Sequence, residues 1–379
     1  LYCAKLLYFF VFFFLKKFFF FFNSPQNSNN FFLIQNPPPP PPEIKRSYPF
    51  VDLTKYIAAV MVIMIHTNPL GAAQDSWLYT FTYTILRNAL PFFFLSSSYF
   101  FFKKRNWSKY IKRLFILYFS WFVLLFVYVI YIKFYSAPGP WEMKLLSFCK
   151  DLIWNGALPG AWYVVASLHS VVLLYFLSLK LKFNNTALIV VGVCLYCVSL
   201  LNSTYYGFAA DNECLMVMNQ VLSIVMPSPA HSFFSAFIFF VIGKIIAENQ
   251  HRAKLRYYVI GLIGFGILEF VETGLLYHFN LIKENDYYFM LIPFAYCFFQ
   301  LCLIAKVNID SKRTSYMRKC SIICYFSQFP IIFMCGVLTK YLPFGIDFAN
   351  FVITIVAANI LSYMIIRYSD CYAVLKNLY

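Results

Sequence analysis

The chain has 379 residues, of which 61% are hydrophobic, 22% aromatic and only 12% charged. That much apolar surface exceeds what a water-soluble fold can hide, so an ordinary soluble enzyme is excluded. The formal charge of +16 sits in short stretches between apolar runs of spanning length, so it reports membrane topology, and no nucleic-acid partner is expected.

Residues 1–42 read as a low-complexity leader: a Phe-rich run broken by Lys16 and Lys17, an Asn/Ser-rich stretch, and six prolines from Pro37 to Pro42. Split by two lysines, the run makes a poor signal peptide. The expectation is that the leader is not part of the functional protein and that residues 43–379 form one transmembrane domain.

From Val51 onward, apolar runs predict spans at about 51–68, 78–102, 114–134, 161–179, 186–203, 231–247, 257–277, 287–305, 320–339 and 348–366. The predicted fold is an all-α bundle of about ten transmembrane helices. Basic residues gather on alternate sides, at Lys103 to Arg113, Lys180 and Lys182, Arg252 to Arg256 and Lys306 to Lys319. The opposite loops hold only Lys133, Lys144, Lys150, Lys283 and Lys340. By the positive-inside rule both termini are cytoplasmic. Two long outer loops are expected at about 135–160 and 204–230. Eleven cysteines scatter through apolar segments without forming a disulfide framework, although Cys149 and Cys214 both fall in these outer loops, where they can pair.

Three ionisable residues mark the first span. Lys55 and His66 are eleven residues apart, which places them within roughly 20° of each other around a helix, and Asp52 lies within roughly 40° of His66. An intramembrane face of this kind is a functional-site hypothesis, weighed against a local Asp52–Lys55 pair at headgroup level. Arg87 falls near the middle of the second span, four residues before Pro91, and at that depth needs an anion or carbonyl groups. Glu269 and Glu272, on one face of the seventh span, are candidate partners, and equally a candidate acid/base pair or a buried hydrogen-bonded pair. Gly261, Gly264 and Gly266 lie inside a span and suit close helix packing rather than phosphate binding.

These residues resemble the integral-membrane acyltransferase-3 family, whose members O-acylate sugars and related acceptors of bacterial envelopes. The first helix carries that family's basic residue, ten residues, then His, as Lys55 and His66, with Asp52 and Ala58 in place. The second carries its Arg-x-x-Leu-Pro-Phe-Phe-Phe pattern from Arg87 through Phe94, continuing to Ser97 and Tyr99. Ala161-Trp162-Tyr163 resembles the start of its fourth helix, and His231 to Gly243 its sixth. Four positions depart from the pattern: Lys55 for Arg, Ser98 for Gly, His231 for Arg and Gln328 for His.

The resemblance implies an O-acyltransferase in the plasma membrane that moves an acyl group, most simply acetyl, from cytoplasmic acetyl-CoA or another acyl-CoA to a hydroxyl of an extracytoplasmic sugar or envelope component, with no metal. His66 is then the base, with Asp52 beside it on the same face. Lys55 and Arg87 stabilise the oxyanion, and Lys109, Lys112 and Arg113 receive the donor's phosphates, although the positive-inside rule alone also accounts for them. Trp162, His231, Glu269 and Glu272 are the candidate acceptor side, with an interfacial aromatic belt as the plainer account of Trp162. A secondary transporter or flippase, or a non-catalytic membrane sensor, is the alternative.

Overall fold

A computed structural model describes residues 48–73, 76–249, 253–305, 307–339 and 346–379. The expected leader at 1–42 lies outside the described residues. Among the described residues every regular element is helical. Taken in chain order they are α1 (Pro49–Thr67), α2 (Trp77–Leu86), α3 (Ala89–Lys104), α4 (Trp107–Leu124), α5 (Phe126–Ile130), α6 (Trp141–Trp154), α7 (Trp162–Tyr175) and α8 (Asn185–Asn202). There follow α9 (Tyr206–Ala210), α10 (Glu213–Val225), α11 (Phe233–Glu248), α12 (Leu255–His278), α13 (Leu291–Ile304), α14 (Ser311–Thr339), α15 (Ile346–Tyr368) and a terminal 3-10 turn, Ala373–Leu378, while π-helical turns extend α5 over Tyr131–Tyr135 and α7 over Phe176–Lys180.

Each predicted span is helical, but not each is a full-length crossing. Among the described residues six helices are long and apolar enough to cross a membrane, and a seventh arises if α4 and the segment Phe126–Tyr135 are one span bent by 75°. The second predicted span is broken between Leu86 and Ala89. Pro91 explains the break, because it has no N–H to give the carbonyl of Arg87 four residues earlier and its ring crowds that carbonyl. The segments expected at 231–247 and 287–305 fold as α11, of 16 residues, and α13, of 14, which at ~1.5 Å per residue fall short of a ~30 Å hydrocarbon layer.

The two expected long outer loops carry helices of their own. Residues 135–160 hold α6 and residues 204–230 hold α9 and α10. Their apolar residues recur at helical spacing, yet the runs are too short and too polar to register as spans. Pro140 opens α6, and the Asn212 side chain caps α10 by accepting the Leu215 N–H at 3.1 Å. Cys149 and Cys214 are free thiols, not a disulfide.

At the centre lies α11, with the continuous run Ser235 to Gly243 buried on every side, as expected of a helix that is apolar all round. It packs on α3, α7 and α8, while α1 packs on α14, α3 and α15. The α3–α11 crossing accounts for Ser98 standing where Gly is usual. Its Oγ donates to the Phe240 carbonyl at 2.6 Å, and the space it needs is left by Gly243, where an added Cβ would lie 2.6 Å from that of Ser98.

Candidate functional site

Helix α1 ends one residue after His66. Asn68 adopts a left-handed conformation (φ 45°), returns its N–H to the Met64 carbonyl, and is followed by Pro69, so the helix cannot continue. This leaves the His66 ring exposed at the helix end, packed at 4.5 Å against Phe329 of α14. Phe329 is in turn set against Gly160, whose φ of +77° suits glycine and whose carbonyl accepts the Tyr325 hydroxyl at 2.8 Å.

Arg87 occupies the α2–α3 break and points into the same space. Its Nη2 lies 3.0 Å from Oδ1 of Asp286, which comes from the segment before α13. Oδ2 of Asp286 lies 3.2 Å from Nε2 of His231, in the turn before α11. The His231 Nδ1 meets Ser228 Oγ at 3.1 Å, the Asn155 side-chain amide donates to the Ser228 and His231 carbonyls at 2.9 Å each, and Trp162 packs on the imidazole at 5.0 Å. The Tyr83 hydroxyl donates to the Ile65 carbonyl, its ring lies 5.6 Å from the Arg87 guanidinium carbon, and Tyr79 stacks on it at 3.8 Å. His66, Arg87, His231 and Asp286, with Ile65, Asn68, Tyr79 and Tyr83, line one cavity of about 350 Å³.

The charges in this cavity are interdependent. Burial pushes the Asp286 carboxyl up, but Arg87 and then His231 more than offset it and hold the pKa well below the usual carboxylate range. Burial pushes His231 down, yet Asp286 reverses this and its pKa is raised. Asp286 is therefore a fixed anion held between Arg87 and His231, and His231, engaged at both ring nitrogens, is an anchor for it. His66 differs: among the described residues its ring makes no hydrogen bond or ion pair, so a nitrogen is available to a ligand. His231, Glu284 and Asp286 have metal-ligating atoms within 4.8 Å of one another, but a cation there would meet the Arg87 guanidinium already on Asp286.

The other residues marked in the sequence fall elsewhere. Asp52 and Lys55 lie at the opposite end of α1, roughly 21 and 16 Å from His66 along the axis at ~1.5 Å per residue. They do not pair with each other at ion-pair distance. Asp52 Oδ2 lies 3.5 Å from Arg318 of α14, and the Lys55 ammonium sits 4.8 Å over the Phe100 ring. Lys55 and Arg87 are therefore not brought to one point. Lys109, Lys112 and Arg113 are exposed on the first two turns of α4.

Glu269 and Glu272 do not line the cavity and do not hold Arg87. Glu269 accepts from the Asn88 amide at 3.3 Å. Glu272 caps the start of α13, accepting the Phe289 and Met290 N–H groups at 2.6 and 2.8 Å and the Tyr205 hydroxyl at 2.5 Å. Gln328 is fully buried, its amide donating to the Tyr325 carbonyl at 2.8 Å. Asp286, Phe329, Tyr83, Ser228 and Asn155 were not marked by the sequence. Only Asp286 left a signal there, as an acid at the outer edge of a predicted span on the side where His66 and Arg87 need an anion.

Residues 48–367 match the family model Acyl_transf_3, an acyltransferase domain. Among curated proteins, the chain is 27% identical over 281 residues to an amino-acid racemase of Enterococcus faecalis, covering 73% of this chain and 38% of that protein. A second amino-acid racemase of E. faecalis is 22% identical over 339 residues (84% and 46%), and a serine/alanine racemase of Enterococcus gallinarum 24% over 267 residues (67% and 37%). The chain spans less than half the length of these relatives. No solved structure matches.

Proposed function

We propose the following reaction from the premise that the chain belongs to the acyltransferase-3 family and is a membrane acyltransferase: transfer of an acyl group, most simply acetyl, from acyl-CoA on the cytoplasmic side to a hydroxyl of an extracytoplasmic sugar or envelope component. The observation that carries this reading is His66, an imidazole with no hydrogen-bond or ion-pair partner among the described residues, opening into the cavity that also holds Arg87.

His66 takes the proton of the acceptor hydroxyl as its oxygen attacks the thioester carbonyl. The tetrahedral oxyanion draws on Arg87, oriented by Asp286. The C–S bond then breaks, the thiolate leaves and takes up the proton held by His66, and the acyl ester is formed. Trp162 and His231 shape the acceptor side. Asp52 and Lys55, at the far end of α1, suit the donor side together with Lys109, Lys112 and Arg113, where lysine and arginine match phosphate. The topology that goes with this is ten crossings of the plasma membrane with both termini cytoplasmic; α11 and α13, short as they are, count among them because neighbouring helices rather than lipid surround them.

A second reading draws on the names of the curated relatives. Moving a small zwitterion such as an amino acid across the bundle would also use a cavity holding a guanidinium and a carboxylate. Purified protein in lipid nanodiscs, given labelled acetyl-CoA and a panel of sugar acceptors, separates the two. Labelled ester on an acceptor, formed with release of free CoA, supports acyl transfer. Uptake of an amino acid by proteoliposomes with no acyl product from any donor would overturn it.

A further inference from the structure

Helices α6 and α10 are built inside out for a surface in water. In α6 the buried residue is Asp151, whose carboxylate meets the Lys133 ammonium at 2.6 Å, and in α10 it is Asn219, whose amide donates to the Leu201 carbonyl at 2.9 Å. The opposite faces are exposed and apolar. In α6 the stripe runs through Leu145, Leu146, Cys149, Leu152 and Ile153, and in α10 through Cys214, Val217, Val221, Ile224 and Val225. Leu146 is 57% exposed and Ile224 67%. A water-facing helix shows the reverse pattern, with its polar residues outward.

Length decides how these helices meet an apolar medium. With 14 and 13 residues they are about 20 Å long at ~1.5 Å per residue, too short to cross a ~30 Å hydrocarbon layer. The Lys150 ammonium joins them by donating to the Ile224 carbonyl at 2.6 Å. Chain continuity ties α6 to an exposed apolar surface: the segment Phe126–Tyr135 leads toward it with Val127 83% exposed. Both helices also run into the cavity wall, since Asn155 at the end of α6 holds the Ser228–His231 turn that follows α10.

We propose that α6 and α10 are interfacial helices whose apolar stripes bed in the acyl-chain region of the lipid leaflet, forming a lipid-seated brace for the His231 side of the cavity. The occupant of the stripes is lipid, as amphipathic segments lying in a bilayer boundary require, and the assignment is independent of the reaction the cavity performs.

The stripes carry their own reporters in Cys149 and Cys214, both exposed free thiols. In variants keeping one of these as the sole cysteine, reconstituted in nanodiscs and labelled with bimane, quenching by lipids doxylated on the acyl chain should exceed quenching by aqueous iodide several-fold. Stronger quenching by iodide overturns the proposal, and so does protection from both, which would mean that another protein surface, such as a second copy, covers the stripes. Removing the other cysteines can disturb folding, so the unaltered protein is also photolabelled with a lipid carrying a diazirine in its acyl chain. Adducts on peptides from 141–154 and 213–225 are expected alongside those on the exposed Ile260–Ile267 face of α12. Adducts on α12 alone count against the brace.

Discussion

The Arg87 guanidinium is held by Asp286, Nη2 to Oδ1 at 3.0 Å, across a buried contact that neither glutamate of α12 shares. Both side chains are largely buried, so removing one partner leaves an uncompensated charge, which typically costs ~3–5 kcal/mol, whereas replacing both by apolar groups is often close to neutral. Arg87→Met and Asp286→Leu should each lower the melting temperature of the purified protein sharply, and the double variant should recover much of the loss. Single variants that melt with wild type would show that the pair does not hold the α2–α3 break to the segment before α13.

The His231–Asp286 contact predicts a pH dependence. Because the folded pKa of His231 is raised, the pair's contribution is fully present below the ordinary imidazole value of ~6.5 and is lost as pH rises through the raised value. Asp286 is held low, so its side of the contribution is present above the ordinary ~3.9 and lost only as pH falls through the lowered value. The melting-temperature difference between wild type and His231→Gln should therefore be largest near pH 6 and shrink in alkaline buffer. A difference that grows with pH contradicts a raised His231 pKa.

Much of this architecture is legible in the residues, and the gaps have physical causes. Hydropathy locates every long helix, and the spacing of Lys55, His66, Arg87 and Pro91 marks the family. Periodicity gives angle around a helix and says less about distance along it, so Asp52, Lys55 and His66 share a stripe yet serve opposite ends. Short helices such as α6 and α10 fall below the length at which hydropathy separates a helix from a loop. Partners contributed by distant segments, as Asp286 is to Arg87 and Phe329 to His66, have no signal local to the residue they serve. The positions that depart from the family pattern become intelligible only in contact: Ser98 fits against Gly243, and His231 is bound into the Asp286 cluster.

Gly160 should prove sensitive although it touches no proposed substrate. An added Cβ there would lie 2.4 Å from Cε2 of Phe329, and the residue's φ of +77° would strain an alanine by roughly 1–2 kcal/mol. Phe329 is the ring beneath His66, so Gly160→Ala should shift the imidazole and lower kcat more than it raises KM, while Phe329→Leu in the same chain should restore part of the rate by yielding space. Unchanged kinetics in Gly160→Ala would show that this packing does not position His66.

The proposed orientation makes the start of α4 cytoplasmic and the α9–α10 segment extracytoplasmic. In a chain stripped of other cysteines, a membrane-impermeant maleimide applied to intact cells should label Asp211→Cys and leave Ser108→Cys unlabelled until the membrane is opened. The reverse pattern would invert donor and acceptor sides together.

His66 gives the strictest test of the chemistry. Its imidazole opens into the cavity, packs on Phe329 and makes no hydrogen bond among the described residues, so replacing it removes no hydrogen bond that holds the fold. His66→Ala should express and melt nearly as wild type does, and lose ~10²–10⁴-fold in acyl transfer, the usual contribution of a general base. That loss should fall on kcat, since the acceptor hydroxyl still binds but is no longer deprotonated as it attacks. Lys55, at the other end of α1, should behave differently: Lys55→Ala raises KM for the acyl donor, whereas Lys55→Arg keeps the charge and most of the activity. The assay is transfer from labelled acetyl-CoA to the sugar acceptors by wild type and each variant over a range of donor concentrations. Near-wild-type kcat in His66→Ala would remove His66 as the base even with acyl transfer confirmed, and a kcat loss shared equally by Lys55→Ala would mean that the two ends of α1 act in the same step.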